Sequence, residues 1–103
     1  MEIFETPHYT KWFSNLRDRT AKIRIAARLR VVASSGALTG DVKPVGGGVF
    51  ELRFHVGPGY RVYVLQQGST LLLLLIGGDK SSQIRDIAKA QILAKEWKDD
   101  HGY

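Results

Sequence analysis

Val49-Phe50-Glu51-Leu52-Arg53-Phe54-His55-Val56, then Gly57-Pro58-Gly59, then Tyr60-Arg61-Val62-Tyr63-Val64-Leu65 is the stretch on which the fold turns. Phe50, Leu52, Phe54 and Val56 alternate with Glu51, Arg53 and His55, the two-residue period of a strand with one buried face. The Gly-Pro-Gly triplet marks a turn, and the run after it is rich in β-branched and aromatic side chains, so the segment predicts a β-hairpin. With the turn at Gly57–Gly59, Val56 pairs with Tyr60, Phe54 with Val62 and Leu52 with Val64, apolar against apolar. A one-residue slip would turn one strand's side chains to the wrong face, so the apolar pattern favours this register. The same register sets His55 opposite Arg61 and Arg53 opposite Tyr63. Glu51, Arg53, His55, Arg61 and Tyr63 then share one face.

Downstream of the hairpin, Gln67-Gly68-Ser69 reads as a turn, and Leu71 to Ile76 is continuously apolar, as in a central strand covered on both faces. Gly77-Gly78-Asp79-Lys80-Ser81 follows. Its glycines let the backbone turn, and Asp79 or Ser81 can cap a last helix that begins near Ser81. In that helix Ile84, Ile87, Ala90, Ala94 and Trp97 fall on one stripe. Upstream, Gly36 to Gly48 holds five glycines and Pro44 and reads as a loop. Before the loop, Asp18 can cap a helix in which Ile25, Leu29 and Val32 repeat at helical spacing, ended by Ser34-Ser35-Gly36. A shorter helix precedes it, opened by Thr6-Pro7 and carrying Tyr9, Trp12, Phe13 and Leu16 as a buried stripe. Glu2 to Glu5 is a short strand. The class is therefore α+β: an N-terminal strand, a two-helix antiparallel hairpin, a three-stranded antiparallel meander and a C-terminal helix, with the helices packed on one sheet.

The length of 103 residues suits one domain, residues 1–103, with one core and no staples. With no cysteine, disulfides and thiolate metal sites are excluded. His8, His55 and His101 stand far apart without metal-ligand spacing, so neither a metal nor a cofactor is expected. The acidic start, Met1-Glu2-Ile3-Phe4-Glu5, is unlike a signal peptide, and no apolar run approaches the roughly 20 residues of a membrane span. A cytoplasmic protein with no membrane partner is the expectation. A net charge of +5 and a pI near 9.7 point toward a polyanionic partner. From Arg17 to Arg30 six basic residues face one acid, Asp18. These serve either as the solvated face of a helix or as a nucleic-acid contact.

The hairpin face carries chemistry. Two guanidinium forks can bind phosphate oxygens, while an imidazole, a carboxylate and a phenol can move protons. That set suits cleavage of RNA, in which the ribose 2′-hydroxyl attacks the adjacent phosphate. The same groups on a solvated sheet would stabilise the hairpin as cross-strand pairs, and both readings stand on spacing alone. Lys80 adds a cation where the last strand meets a helix N-terminus, a place that attracts phosphate.

Phe50-Glu51-Leu52-Arg53, Gly57-Pro58-Gly59-Tyr60-Arg61-Val62-Tyr63 and Gly77-Gly78-Asp79-Lys80-Ser81, together with Trp12-Phe13 and Ala94-Lys95-Glu96-Trp97, resemble the RelE/ParE toxin superfamily. The likeness is greatest to its HigB-like addiction-module killer proteins. It implies a bacterial type II toxin neutralised by a helix-turn-helix antitoxin. It further implies a metal-free, ribosome-dependent messenger-RNA endonuclease (an mRNA interferase) that inhibits translation. By position, Arg61 matches the arginine that stabilises the scissile phosphate, Arg53 a basic strand residue that contacts RNA, and Lys80 a further cation. Glu51 replaces a lysine of RelE, which makes Glu51 or His55 the proton acceptor. Arg85-Asp86-Ile87 lacks the tyrosine that RelE carries near its C-terminus, for which Tyr63 is the substitute at hand. The general acid and base stay unassigned between them. Two rival readings keep this fold: a ParE-like toxin directed at DNA gyrase, and a non-catalytic module binding RNA or an acidic protein through the Arg17–Arg30 helix.

Overall fold

Side chains at the helix ends set the boundaries that the sequence announces. In the computed structural model, which describes residues 1–102, β1 is Glu2–Glu5 and α1 is Pro7–Asn15. The Thr6 hydroxyl accepts from the Tyr9 N–H at 3.2 Å and donates to the Leu75 carbonyl at 2.6 Å, so one residue both caps α1 and ties it to the sheet. Helix α2, Arg19–Ser35, is capped by Asp18, which accepts from the Ala21 N–H at 3.1 Å, and closed by Gly36 at φ 75°. Then come β2 (Val42–Gly46), β3 (Val49–Phe54), β4 (Tyr60–Gln67), β5 (Leu71–Asp79), one 3-10 turn (Lys80–Ser82) and α3 (Gln83–His101).

The class is α+β, with three α-helices and a five-stranded sheet in the order β1-β5-β4-β3-β2. Strand β1 runs parallel to β5, and the other neighbours are antiparallel, so the sheet is mixed. The expected loop from Gly36 to Gly48 contains β2, with Val42 opposite Leu52 and Pro44 opposite Phe50. Pro44 donates no ladder hydrogen bond, which an edge strand tolerates. The extra strand makes the meander four-stranded and leaves β4, not β5, at the centre of the sheet.

The hairpin register is corrected by two residues. Phe54 lies opposite Tyr60, Leu52 opposite Val62 and Glu51 opposite Tyr63, and the loop is His55–Gly59. Gly57 and Gly59 both take positive φ, 57° and 81°. They close a turn of their own, with the Gly59 N–H on the Val56 carbonyl at 3.2 Å. That turn withdraws His55 and Val56 from the ladder. Because the slip is an even number, every paired side chain keeps its predicted face.

Both faces of the sheet are covered. Leu52, Phe54, Val62, Val64, Leu72 and Leu74 pack with Tyr9, Ala21, Ile25, Leu29 and Val32 of α1 and α2. On the other face Val49, Tyr63, Leu65, Leu73 and Leu75 pack with Ala90, Leu93 and Ala94 of α3. Leu72 to Leu75 alternate between the two cores and are fully or almost fully buried, each burial contributing on the order of 2 kcal/mol. The α3 stripe holds from Ile87 to Trp97, but Ile84 is 88% exposed and lies outside it.

Gly77 and Gly78 do not turn the chain. They are strand residues, opposite Val62 and Arg61, and β5 runs on to Asp79. Their role is close approach. A Cβ on Gly77 would overlap the Trp12 ring of α1, and one on Gly78 would overlap the Asp86 carboxylate of α3.

Candidate functional site

Register places Arg53 and Arg61 directly opposite one another across β3 and β4. Like charges so placed destabilise a sheet. Arg61 turns its Nη1 back to the Gly59 carbonyl at 2.7 Å, and its Nε is buried without a hydrogen-bond partner among the described residues. Lys80 follows directly on Asp79, which is itself opposite Tyr60, and is exposed. A Cβ on Gly59 would meet Arg61 Nη1 at 2.9 Å and the Lys80 Cβ at 3.8 Å, so the two cations flank this glycine. His55 is exposed in the loop. Arg53, Arg61 and Lys80 therefore gather at one end of the sheet beside the His55 imidazole, and the three cations favour an anion there.

Asp41, just before β2, joins this group, and sequence reading missed it. Its Oδ1 accepts from Arg53 Nη2 at 2.7 Å and Nε at 3.1 Å, and its Oδ2 lies 2.5 Å from His55 Nε2. The Arg53 hydrogen bonds, then the His55 one, hold the Asp41 carboxyl below its ordinary pKa, and Asp41 in turn raises that of Arg53. With Nε2 on the carboxylate, His55 Nδ1 and Arg53 Nη1 have no hydrogen-bond partner among the described residues.

Arg28 positions Asp41. Its guanidinium donates to the Thr39 carbonyl at 2.8 and 3.0 Å, to the Asp41 carbonyl at 2.9 Å and to the Arg53 carbonyl at 2.6 Å, and lies 4.8 Å from the Phe54 ring centre. Burial lowers its pKa, with Asp41 acting in the opposite sense. This residue of the basic helix thus serves the backbone. Arg28→Ala is expected to lower stability by about 2–3 kcal/mol in thermal unfolding, since several carbonyls lose their donor. Arg28→Lys should recover only part, because an ammonium cannot fork.

Glu51 and Tyr63 keep the predicted face but not its open part, which corrects the expectation of five groups displayed together. Both are fully buried beneath α3. Tyr63 Oη donates to Glu51 Oε2 at 2.9 Å, as does Gln83 Nε2 at 2.9 Å. Glu51 Oε1 has no hydrogen bond among the described residues and lies 4.0 Å from Arg53 Nε. The alternation of β3 signals a polar face; nothing in it says that α3 covers the Glu51 end.

Burial, then Glu51, raises the Tyr63 pKa, and burial does the same for Tyr9. In the unfolded chain both phenols ionise near pH 10. A folded pKa above the unfolded one gives stability that is complete below pH 10 and is lost as pH rises further. Absorbance at 295 nm should therefore show Tyr9 and Tyr63 ionising only with alkaline unfolding. Normal titration of all four tyrosines in a folded chain would contradict this burial.

Among the described residues, no three metal-ligating side chains come together. Nor, among those residues, is any helix long and apolar enough to cross a membrane. The chain matches no family model. It is similar to an uncharacterized protein of Haemophilus influenzae, 43% identical over 96 residues that cover 93% of this chain and 95% of the relative.

Proposed function

We propose that this chain, which belongs to one family with that Haemophilus influenzae protein, is the toxin of a type II toxin-antitoxin pair and cuts messenger RNA on the ribosome. The observation that carries the reading is the direct opposition of Arg53 and Arg61. Asp41 balances Arg53, but among the described residues Arg61 has no carboxylate in an ion pair with it, and an RNA phosphate held between the two guanidinium groups would turn their repulsion into attraction. The resemblance of the β3–β4 and β5–α3 segments to HigB-like members of the RelE/ParE superfamily supports the same reading, as does the order strand, two helices, meander, helix.

In this reading Arg61 and Lys80 stabilise the charge that develops on the scissile phosphate, and Arg53 holds the RNA backbone. His55, oriented by Asp41, is the exposed group able to take the 2′-hydroxyl proton on Nδ1 as the 2′-oxygen bonds to phosphorus; the P–O5′ bond breaks and the leaving 5′-oxygen takes a proton from water. Glu51 and Tyr63 act from below, keeping the Arg53 strand and Gln83 in place. Exposed Arg17, Arg19, Arg24 and Arg30 add a cationic surface for ribosomal RNA. A helix-turn-helix antitoxin would neutralise the toxin.

Expression without the antitoxin should arrest growth and leave translated messages cut, with untranslated messages intact. Cutting of naked RNA at the same rate would sink the ribosome dependence. Growth arrest with whole transcripts and an induced DNA-damage response would move the target to gyrase.

A further inference from the structure

Strand β5 outruns its neighbour. Glu2–Glu5 of β1 pair with Leu71–Leu74 only, while β5 continues to Asp79. Beside this uncovered length lies a groove of about 470 Å³, walled by Lys11, Trp12 and Asn15 of α1 and by Arg85 and Asp86 of α3, with Gly77 among its floor residues. The two glycine contacts described above build it: Trp12 sits against Gly77, and Asp86 against Gly78.

Asp86 is the unusual wall. Only 6% of it is exposed. Its Oδ2 accepts from the Ser82 hydroxyl, while Oδ1 has no hydrogen bond among the described residues and its nearest cation, Arg85 Nε, is 3.9 Å away. A carboxylate held in place by Ser82, with its second oxygen open to the groove, is set to accept from an N–H donor that enters there. Lys11 and Arg85 place cations on the groove, so the donor should belong to a molecule that also carries an anionic group. A nucleotide has both. Among the bases, guanine presents N1–H and the 2-amino group side by side, which a carboxylate can accept together. Adenine and cytosine offer one amino group beside a ring nitrogen that would repel the carboxylate, and uracil flanks its N–H with two carbonyls. Asn15 can donate to the guanine O6.

We propose that the groove between α1 and α3 at the free edge of β5 binds a guanine nucleotide of the RNA, with its base edge on Asp86 and its phosphate on Lys11 and Arg85. Gly78 pairs with Arg61, so the groove lies one strand away from the arginine assigned to the scissile phosphate. This inference rests on the RNA-cleaving reading and gives it a base preference.

Titration of the isotopically labelled full chain by NMR tests it, with guanosine, inosine and adenosine monophosphates and inorganic phosphate as probes. Guanosine monophosphate should shift the Trp12 indole and the Gly77, Gly78 and Asp86 amides, binding about tenfold or more tighter than adenosine monophosphate, the margin of a paired base contact. Inosine monophosphate, lacking the 2-amino group, should fall between them. Lys11→Ala and Arg85→Ala, both on exposed positions, should weaken all nucleotides alike and keep the order. Asp86→Asn, provided its amide spectrum remains that of the folded chain, should abolish the preference. Equal binding of the two purines, the same shifts with inorganic phosphate alone, or no shift at the groove overturns the proposal. A chain that cuts messages yet ignores guanosine monophosphate overturns the groove alone. One that binds it with the expected order but cuts nothing keeps the groove and removes the nuclease.

Discussion

Alanine at Gly77 or Gly78 is expected to lower the midpoint of thermal unfolding by roughly 15 °C. Overpacking of a tight site costs up to about 3 kcal/mol, and each kcal/mol moves a domain of this size by about 4–8 °C. Neither clash has an easy escape. At Gly77 the methyl would meet the interior atoms of the Trp12 ring, which itself packs among Tyr9, Phe13 and Tyr60, so α1 as a whole must shift. At Gly78 it would meet the Asp86 carboxylate and the Ser82 hydroxyl, which lifts the start of α3 from the sheet. Calorimetry checks both variants. A midpoint within a few degrees of the parent would show that these walls are not as tight as described.

The second large effect concerns chemistry. Arg61→Ala should reduce message cleavage by about 10²–10³-fold, the usual loss when one donor to a developing charge is removed. Its stability should stay within about 1 kcal/mol of the parent. The hydrogen bond to the Gly59 carbonyl is lost, but so is the repulsion from Arg53. This pairing of a large functional loss with a near-neutral fold distinguishes a working arginine from a packing one. A folded Arg61→Ala chain that cuts at the parent rate would remove Arg61 from the proposed chemistry.

Local signals in the sequence carried the helices well. Thr6-Pro7, Asp18 and Gly36 are caps whose chemistry is complete within a few residues, and each stands where it was read. The faces of the hairpin were also legible, because alternation has a period of two and survives an even slip. Its register was not. Pairing Val56 with Tyr60 matches apolar groups as well as pairing Phe54 with Tyr60 does, and only the conformations of Gly57 and Gly59 decide between them.

Failures came where the deciding partner is far along the chain. Gly77-Gly78 looks like a turn until Trp12 and Asp86 arrive from two different helices. Lys43-Pro44 looks like loop until β3 offers an edge to pair with. Of the proposed site, the cations Arg53, Arg61 and Lys80 could be picked out from position and likeness. Asp41 could not, since its place depends on Arg28, 13 residues earlier, gripping the turn that carries it. The burial of Glu51 likewise depends on Gln83, 32 residues later.

The parallel pairing of β1 with β5 has a consequence for the order in which the molecule assembles. Strands β2 to β5 follow one another and can zip as successive hairpins, each closing a short loop. The N-terminal strand has no such neighbour: Thr6 finds its partner carbonyl, that of Leu75, 69 residues away. A chain leaving the ribosome N-terminus first must therefore carry β1 unpaired until β5 has emerged. Since α1 is tethered directly to β1, Trp12 reaches Gly77 only at that late step. The strand and helix made before the rest of the sheet are thus among the last to settle, and the groove at the edge of β5 is complete only when the whole sheet is.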